Sequence, residues 1–192
     1  MPAPVEVGWG LRIAVGRPHE TVRHLLIDAP AEAARALVAS IDEPAVCVKG
    51  FLPVEEMEPW FPAAAWRPLE PCFLMAVDLR PSAARTPEGY TVTTSTTDGV
   101  VTVRVLGPDG SPAAAGQAGL TATVCVPDQI STEPAHQRRG LGTVVMAALT
   151  DAALAAGVGL GALGATVQGR ALYETLGWKV LAPLNGYVSG PR

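Results

Sequence analysis

The chain has 192 residues, 14 Lys plus Arg against 18 Asp plus Glu, and a formal net charge of -4. That length admits one medium domain or two small ones with a real core. The scarcity of cations argues against a nucleic-acid partner, which requires a basic stripe to displace phosphate counterions.

In the first half, residues 22–27 form a short apolar run and read as a strand. Asp28-Ala29-Pro30 then offers a helix cap with proline in the first turn. Ala34, Leu37, Val38 and Ile41 recur at helical spacing, which predicts an amphipathic helix over 31–41. Residues 45–51 are β-rich, 53–61 suggest a short acidic helix, and 72–79 are another apolar strand. The polar, turn-rich stretch 81–89 is the expected boundary, dividing an N-terminal α/β region (1–85) from a second domain (86–192). Glu55, Glu56 and Glu58 read as a solvated helix face, and Trp9, Trp60 and Trp66 as core.

The second half begins with alternating strands over 90–96 and 100–106, joined by Thr97-Asp98-Gly99. Gly107-Pro108-Asp109-Gly110 is a turn signal, and 113–126 can form the returning strand. A short strand over 129–133 stops at Pro134, and a helix follows over 140–156, its apolar face built from Leu141, Val145, Ala148, Leu149, Ala152 and Ala156. Gly157 is placed to end that helix. A strand over 158–166, a helix over 168–176 and a strand over 178–183 complete an α/β pattern with a mixed, mostly antiparallel central sheet and flanking helices.

The chemistry concentrates in Pro134-Ala135-His136-Gln137-Arg138-Arg139-Gly140-Leu141-Gly142-Thr143. A strand ends, a basic loop follows, and two glycines open a helix. The first turn of a helix presents free N–H groups and the positive end of the dipole, glycines let an anion approach the backbone, and arginines add charge-assisted contacts. The loop is suited to a pyrophosphate. The G-x-x-x-x-G-K-[ST] pattern of nucleotide triphosphatases is missing. A G-x-G-x-x-G string does occur at Gly159, Gly161 and Gly164, but it falls inside the expected strand and lacks an acidic residue about 20 positions on, so it reads as small residues in a crowded strand.

Gln137-Arg138-Arg139-Gly140-Leu141-Gly142 resembles the Q/R-x-x-G-x-G/A signature of the GCN5-related N-acetyltransferase (GNAT) superfamily. The segment from Thr166 through Tyr173 and Gly177 to Trp178 resembles that family's N-x-x-A-x-x-L-Y-x-x-x-G-F helix. The similarity spans roughly residues 90–183. It implies a GNAT-like acyl-CoA N-acyltransferase fold with acetyl-CoA lying between the strand that ends near Glu133 and the strand over 158–166. Ile130 and Thr132 would meet the pantetheine arm. Gln137, Arg138, Arg139, Gly140, Leu141, Gly142 and Thr143 would hold the pyrophosphate. Thr166 stands at the family's asparagine position, where it can also cap the next helix. Tyr173 would protonate the departing thiolate, and Glu133, ahead of Asp128 and His136, would take the proton from the attacking amine.

The resemblance further implies acetyl transfer to a primary amine of a small molecule, amino acid or peptide. The alternative is a non-catalytic acyl-CoA-binding sensor or scaffold. The family's two helices between its first two strands are replaced here by a hairpin turn, so either the first half supplies the acceptor wall, as a degenerate half of the same fold, or that side is open. Cys47, Cys72 and Cys125 form no disulfide or zinc pattern and suit a reducing cytoplasm. No secretory leader, membrane span, metal or nucleic-acid partner is expected, and an exposed strand edge would permit a homodimer.

Overall fold

The computed structural model describes residues 3–190. In chain order its elements are β1 (Val5–Val7), β2 (Gly10–Arg17), β3 (Glu20–Leu26), α1 (Ala31–Ala39), β4 (Val46–Gly50), α2 (Val54–Met57), β5 (Trp66–Pro68), β6 (Cys72–Asp78), β7 (Thr91–Thr97), β8 (Val100–Leu106), β9 (Pro112–Leu120), β10 (Val124–Thr132), α3 (Leu141–Ala155), β11 (Leu160–Thr166), α4 (Val167–Thr175) and β12 (Lys179–Ser189). Two compact units emerge. One holds the residues up to Leu74 and those from Leu181 onward; the other is Met75–Val180. The expected division at 85/86 is therefore displaced. Strand β6 carries the chain into the second unit and β12 brings it back, while the polar stretch after β6 is an exposed loop inside the second unit. Proline and glycine mark that loop correctly, but a turn-rich loop is not by itself a domain boundary.

In the first unit the strand order is β1-β2-β3-β4-β12, with β5 also on β12. All these pairings are antiparallel except β3 with β4, whose crossover is α1. Pro30 occupies the N-cap of α1 without a side-chain cap, and Asp28, expected there, instead sits at φ 50° in the turn before it. Ala34 and Val38 from α1 join Leu26, Val48, Met57, Phe61, Trp66 and Tyr187 in one core, with Trp9 and Trp60 packed against it. The hairpin β1–β2 escaped the sequence pattern because no residue of it is fully buried, so it lacks a clean alternation. All three cysteines are free. Burial, then the nearby Glu20 carboxylate, pushes the Cys47 thiol up to about 12.

The second unit has the strand order β6-β11-β10-β9-β8-β7. Asp98 (φ 50°) and Gly99 (φ 74°) form the two-residue turn joining β7 to β8, the conformation that matches strand twist in a tight hairpin. Residues 113–126, expected as one strand, are two: a turn at 121–123 divides β9 from β10. Helix α3 packs on β8, β9 and β10. Val101, Val103 and Val105 are buried beneath it, together with its own Leu141, Val144, Val145, Met146, Leu149 and Ala153. Ala148 and Ala152 are only half-buried and Ala156 is exposed, so the apolar face is turned from the one expected. A Cβ on Gly116 would stand 2.6 Å from Val145 Cγ1 and 2.5 Å from Ile130 Cδ1, so only glycine lets α3 approach β9 this closely. Gly157 (φ 82°) ends α3 as expected: its N–H reaches Leu154 O at 2.9 Å and that of Val158 reaches Ala153 O at 2.9 Å.

His24 on β3 is 8% exposed, its ring meets Trp9 edge-on at 4.7 Å, and its Nδ1 finds no hydrogen-bond partner among the described residues. Burial, then the charge of Arg12, lowers its pKa below the ordinary 6.5. A depressed histidine pKa means that the unfolded chain binds the proton first, so stability is whole above 6.5 and falls as the pH drops through it. Denaturant midpoints at about pH 7.5 and about pH 5.5 should therefore differ, and His24→Leu should flatten that difference; an unchanged slope in the variant would refute the assignment.

Candidate active site

The parallel pairing of β10 with β11 is short. Strands β10 and β11 pair only at Val124↔Leu160 and Cys125↔Gly161, after which β10 runs on to Thr132 and β11 to Thr166 with no ladder between them. Strand β10 also bulges against β9 between Asp128 and Ser131, with Gln129 at φ 55°. A split between parallel strands leaves backbone N–H and C=O groups facing a gap, and such groups need a partner. Ile130 and Thr132, expected to face a pantetheine arm, lie on this stretch. Ile130 is half-buried with its tip toward Gly116, and Thr132 pairs with Ala114. Thr166 closes β11 across the gap, its hydroxyl accepting the Gly169 N–H at 3.1 Å as the N-cap of α4.

The basic loop sits at the end of β10. After the 3-10 turn Pro134–His136, Gln137 donates from Nε2 back to Thr132 O at 3.4 Å. Arg138 has φ 61° and Gly140 φ 77°, so the chain turns twice through the left-handed region before α3 begins at Leu141. The first bond of the helix runs from Val144 N–H to Gly140 O, which leaves the N–H groups of the first turn facing outward. A Cβ on Gly140 would meet nothing within 4 Å, so that glycine serves its backbone angle and leaves open space. Gly142 differs: a Cβ there would come 3.1 Å from Leu172 of α4. Arg138, Arg139 and Gln137 are exposed, Leu141 is buried in the core, and Thr143 is half-buried. Open space, N–H groups and two exposed guanidinium groups together suit a pyrophosphate.

Tyr173 on α4 is 9% exposed. Its place is set by the end of the helix. Gly177 (φ 85°) donates to Glu174 O at 3.1 Å and Trp178 N–H donates to Tyr173 O at 3.0 Å, so Trp178 folds back over Tyr173 with ring centroids 6.0 Å apart. On the other side, a Cβ on Gly169 would lie 3.2 Å from Tyr173 Cε2, so the missing side chain makes room for the ring. Burial, then the charge of Asp128, raises the Tyr173 pKa above its ordinary 10. The phenol therefore keeps its proton at neutral pH.

The model of the acetyltransferase (GNAT) family matches residues 57–178. The chain belongs to this family. The match begins well upstream of residue 90, inside the first unit. A GCN5-related N-acetyltransferase from Kribbella flavida superposes with a TM-score of 0.69 at 16% identity, covering 99% of this chain and 90% of that one. A GCN5-related N-acetyltransferase-like protein from Streptococcus suis gives 0.67 at 12% identity, with 94% and 82% covered. A tandem GNAT protein from the clavulanic acid biosynthesis pathway gives 0.61 at 15%, with 82% and 68% covered. No curated protein matches the sequence. The mixed, mostly antiparallel sheet with flanking helices is thus the GNAT fold. Among the described residues no helix is long and apolar enough to cross a membrane, and no cluster of three His, Cys, Asp or Glu could hold a metal ion.

The candidate proton acceptors of this GNAT chain occupy different surroundings. Glu133 is exposed beyond the end of β10, its N–H bonded to Ala113 O at 2.9 Å. Asp128, exposed on the bulge, is the carboxylate whose charge reaches Tyr173. His136 is engaged in a structural chain: Nδ1 lies 3.0 Å from the Tyr90 hydroxyl, Nε2 lies 3.5 Å from Ser111 Oγ, and Ser111 Oγ donates to Asp109 at 2.6 Å. This chain ties the β8–β9 turn to the start of the basic loop, and the sequence carried no signal for it beyond the turn residues. The Tyr-x-x-x-Gly-Trp spacing, by contrast, encodes the helix end that positions Tyr173.

Two consequences are measurable. Gly177→Ala, forced to keep a left-handed φ, should destabilise the protein by about 1 kcal/mol and lower turnover more than acetyl-CoA affinity. Arg138→Gly should relieve backbone strain of about 1 kcal/mol while weakening acetyl-CoA binding, so stability and affinity should move in opposite directions. Parallel losses of both would contradict the assignment of Arg138 to the phosphate site.

Proposed function

We propose that this protein transfers an acetyl group from acetyl-CoA to a primary amine of a small molecule, amino acid or peptide by direct attack. The observation that carries this reading is the split between β10 and β11, bordered at one end by the basic helix-opening loop and flanked by Tyr173 and Asp128. Acetyl-CoA fits it chemically: a pyrophosphate on the N–H groups of residues 138–143, an amide-bearing arm along the unpaired backbone of β10, and a thioester near the bulge. The neutral amine nitrogen bonds to the thioester carbonyl carbon and the C–S bond breaks. The proton lost by nitrogen goes to Asp128, directly or through water, and Tyr173 donates a hydrogen bond and then a proton to the departing sulfur. The products are the N-acetyl amine and free CoA thiol. Asp128 replaces Glu133 as our first choice of base because it sits on the bulge of β10 beside the split, whereas Glu133 lies exposed beyond the end of that strand.

The first unit supports a single cofactor site. Its own β3–α1–β4 crossover has the same strand–helix–strand plan, but β3 and β4 pair at every position from Val22↔Val46 to Leu26↔Gly50, and α1 opens without glycine. A fully laddered pair leaves no gap for an acyl-CoA arm. We read this unit as a degenerate half of the same fold. Its free cysteines, with Cys47 held far from its reactive form, fit a cytoplasmic enzyme. The short β7–β8 turn, where the family resemblance calls for two helices, favours a second reading as a non-catalytic acyl-CoA-binding module.

Calorimetric titration should give one acetyl-CoA per chain, lost when Gly140 and Gly142 are both replaced by valine; failure to bind would end the reading. Thiol release with an amine panel then separates enzyme from binding module. Tyr173→Phe and Asp128→Asn should each lower kcat by about 100-fold or more with little change in acetyl-CoA affinity, whereas Glu133→Gln should change it by less than about threefold. The reverse ranking of the two carboxylates would restore Glu133 as the base.

A further inference from the structure

The sheet of the second unit has two faces, and α3 covers one of them. Gly116 and Ala118 point toward α3, as do Val101, Val103 and Val105. The residues between them therefore point to the other face: Thr102 and Arg104 on β8, Gln117 on β9, and Val126 and Asp128 on β10. The register lays these side chains out in three rows. The middle row is Thr102–Gln117–Asp128. On one side of it runs Arg104–Ala115–Ser131, and on the other Val100–Gly119–Val126. Arg104 and Asp128 are exposed, and among the described residues neither is ion-paired to a protein group. Val100 and Val126 remain 39% and 42% exposed, as does Leu160 at 41%, next to Val124 at the root of the split.

Resting on the acetyltransferase reading, we propose that the amine acceptor is an apolar α-amino acid or a short peptide ending in a free carboxylate, and that Arg104 is the residue that selects it. Asp128 meets the amino group beside Tyr173. Arg104, two strands away and one row along, lies about 12 Å from Asp128 between backbones. An arginine side chain leaning toward Asp128 would shorten that gap to one that an amino acid or dipeptide can span. A guanidinium facing a carboxylate across open space is the geometry for bidentate recognition. Gln117 and Thr102 line the space between with hydrogen-bonding groups. The row Val100–Gly119–Val126, with no side chain at its centre, takes the apolar side chain. One face thus presents an anion for the ammonium, a cation for the carboxylate and an apolar strip, the three features that an apolar amino acid carries on one carbon.

The test compares leucine, leucinamide and isopentylamine as acceptors at saturating acetyl-CoA, following thiol release. Leucine should exceed both in kcat/KM by about 10- to 100-fold, the loss expected when a hydrogen-bonded charge goes unpaired. Arg104→Ala should raise KM for leucine by a similar factor, leave kcat within about twofold and erase the preference over leucinamide. Arg104→Lys should restore part of it, and the acetyl-CoA affinity of both variants, measured by titration, should match the parent and so report an intact fold. Leucinamide or isopentylamine acetylated as well as leucine, or a preference that survives Arg104→Ala, overturns the inference and leaves the acetyltransferase intact. No acetylation of any of the three, with acetyl-CoA bound, overturns the inference, and thiol release absent across the whole amine panel overturns the acetyltransferase reading as well.

Discussion

The parting of β10 from β11 is the constraint on which the site depends. Parallel neighbours in a sheet ordinarily satisfy each other's backbone groups along their whole length. Here pairing stops after Val124↔Leu160 and Cys125↔Gly161, while β10 bulges between Asp128 and Ser131 and stays paired with β9 on its other side. Unpaired backbone groups are costly to bury, so a gap of this kind persists when something polar and extended lies in it. The basic loop, the glycine at the head of α3 and the tyrosine of α4 all stand where the two strands have separated. The same crossover in the first unit lacks the gap, because β3 and β4 stay paired. Two stretches of one chain thus share a connectivity and differ in the property that makes a binding site.

The helix-ending motifs do more than stop helices. At Gly177 the chain reverses so that Trp178 covers Tyr173, and the absence of a side chain at Gly169 leaves the ring its space. Tyr173 is therefore held by backbone geometry on both sides, and among the described residues no hydrogen bond occupies its hydroxyl. Its raised pKa follows from that burial and from the negative charge of Asp128, so the two groups proposed as proton donor and acceptor are linked electrostatically.

On the sheet face opposite α3, the proposed selection of an acceptor is a matter of register. Asp128, Gln117 and Thr102 share a row only because β8, β9 and β10 pair as they do, and a one-residue slip would send each of them into the core beneath α3. The buried valines of β8 and the close approach of α3 at Gly116 hold that register. Core packing on one face thereby fixes the positions of charged groups on the other.

Much of this protein was legible in its sequence, for a local reason. Gly140 and Gly157 announce backbone angles that few other residues adopt, the Tyr-x-x-x-Gly-Trp spacing encodes a helix end, and alternation marks β8 through its valines. These are effects of neighbouring residues on one another, so linear order contains them. Other features were not legible. The chain's return through β12 to pair with β4 and β5, the division of residues 113–126 into two strands, and the unit boundary within β6 all depend on which distant strand a segment meets. The preference for Asp128 over Glu133 had the same origin. Asp128 lies within β10 and Glu133 just past its end, close in sequence, but only the fold shows that Asp128 stands on a bulge beside the split. Propensity and spacing act over a few residues; hydrogen-bond ladders and electric fields act between whatever the fold brings together.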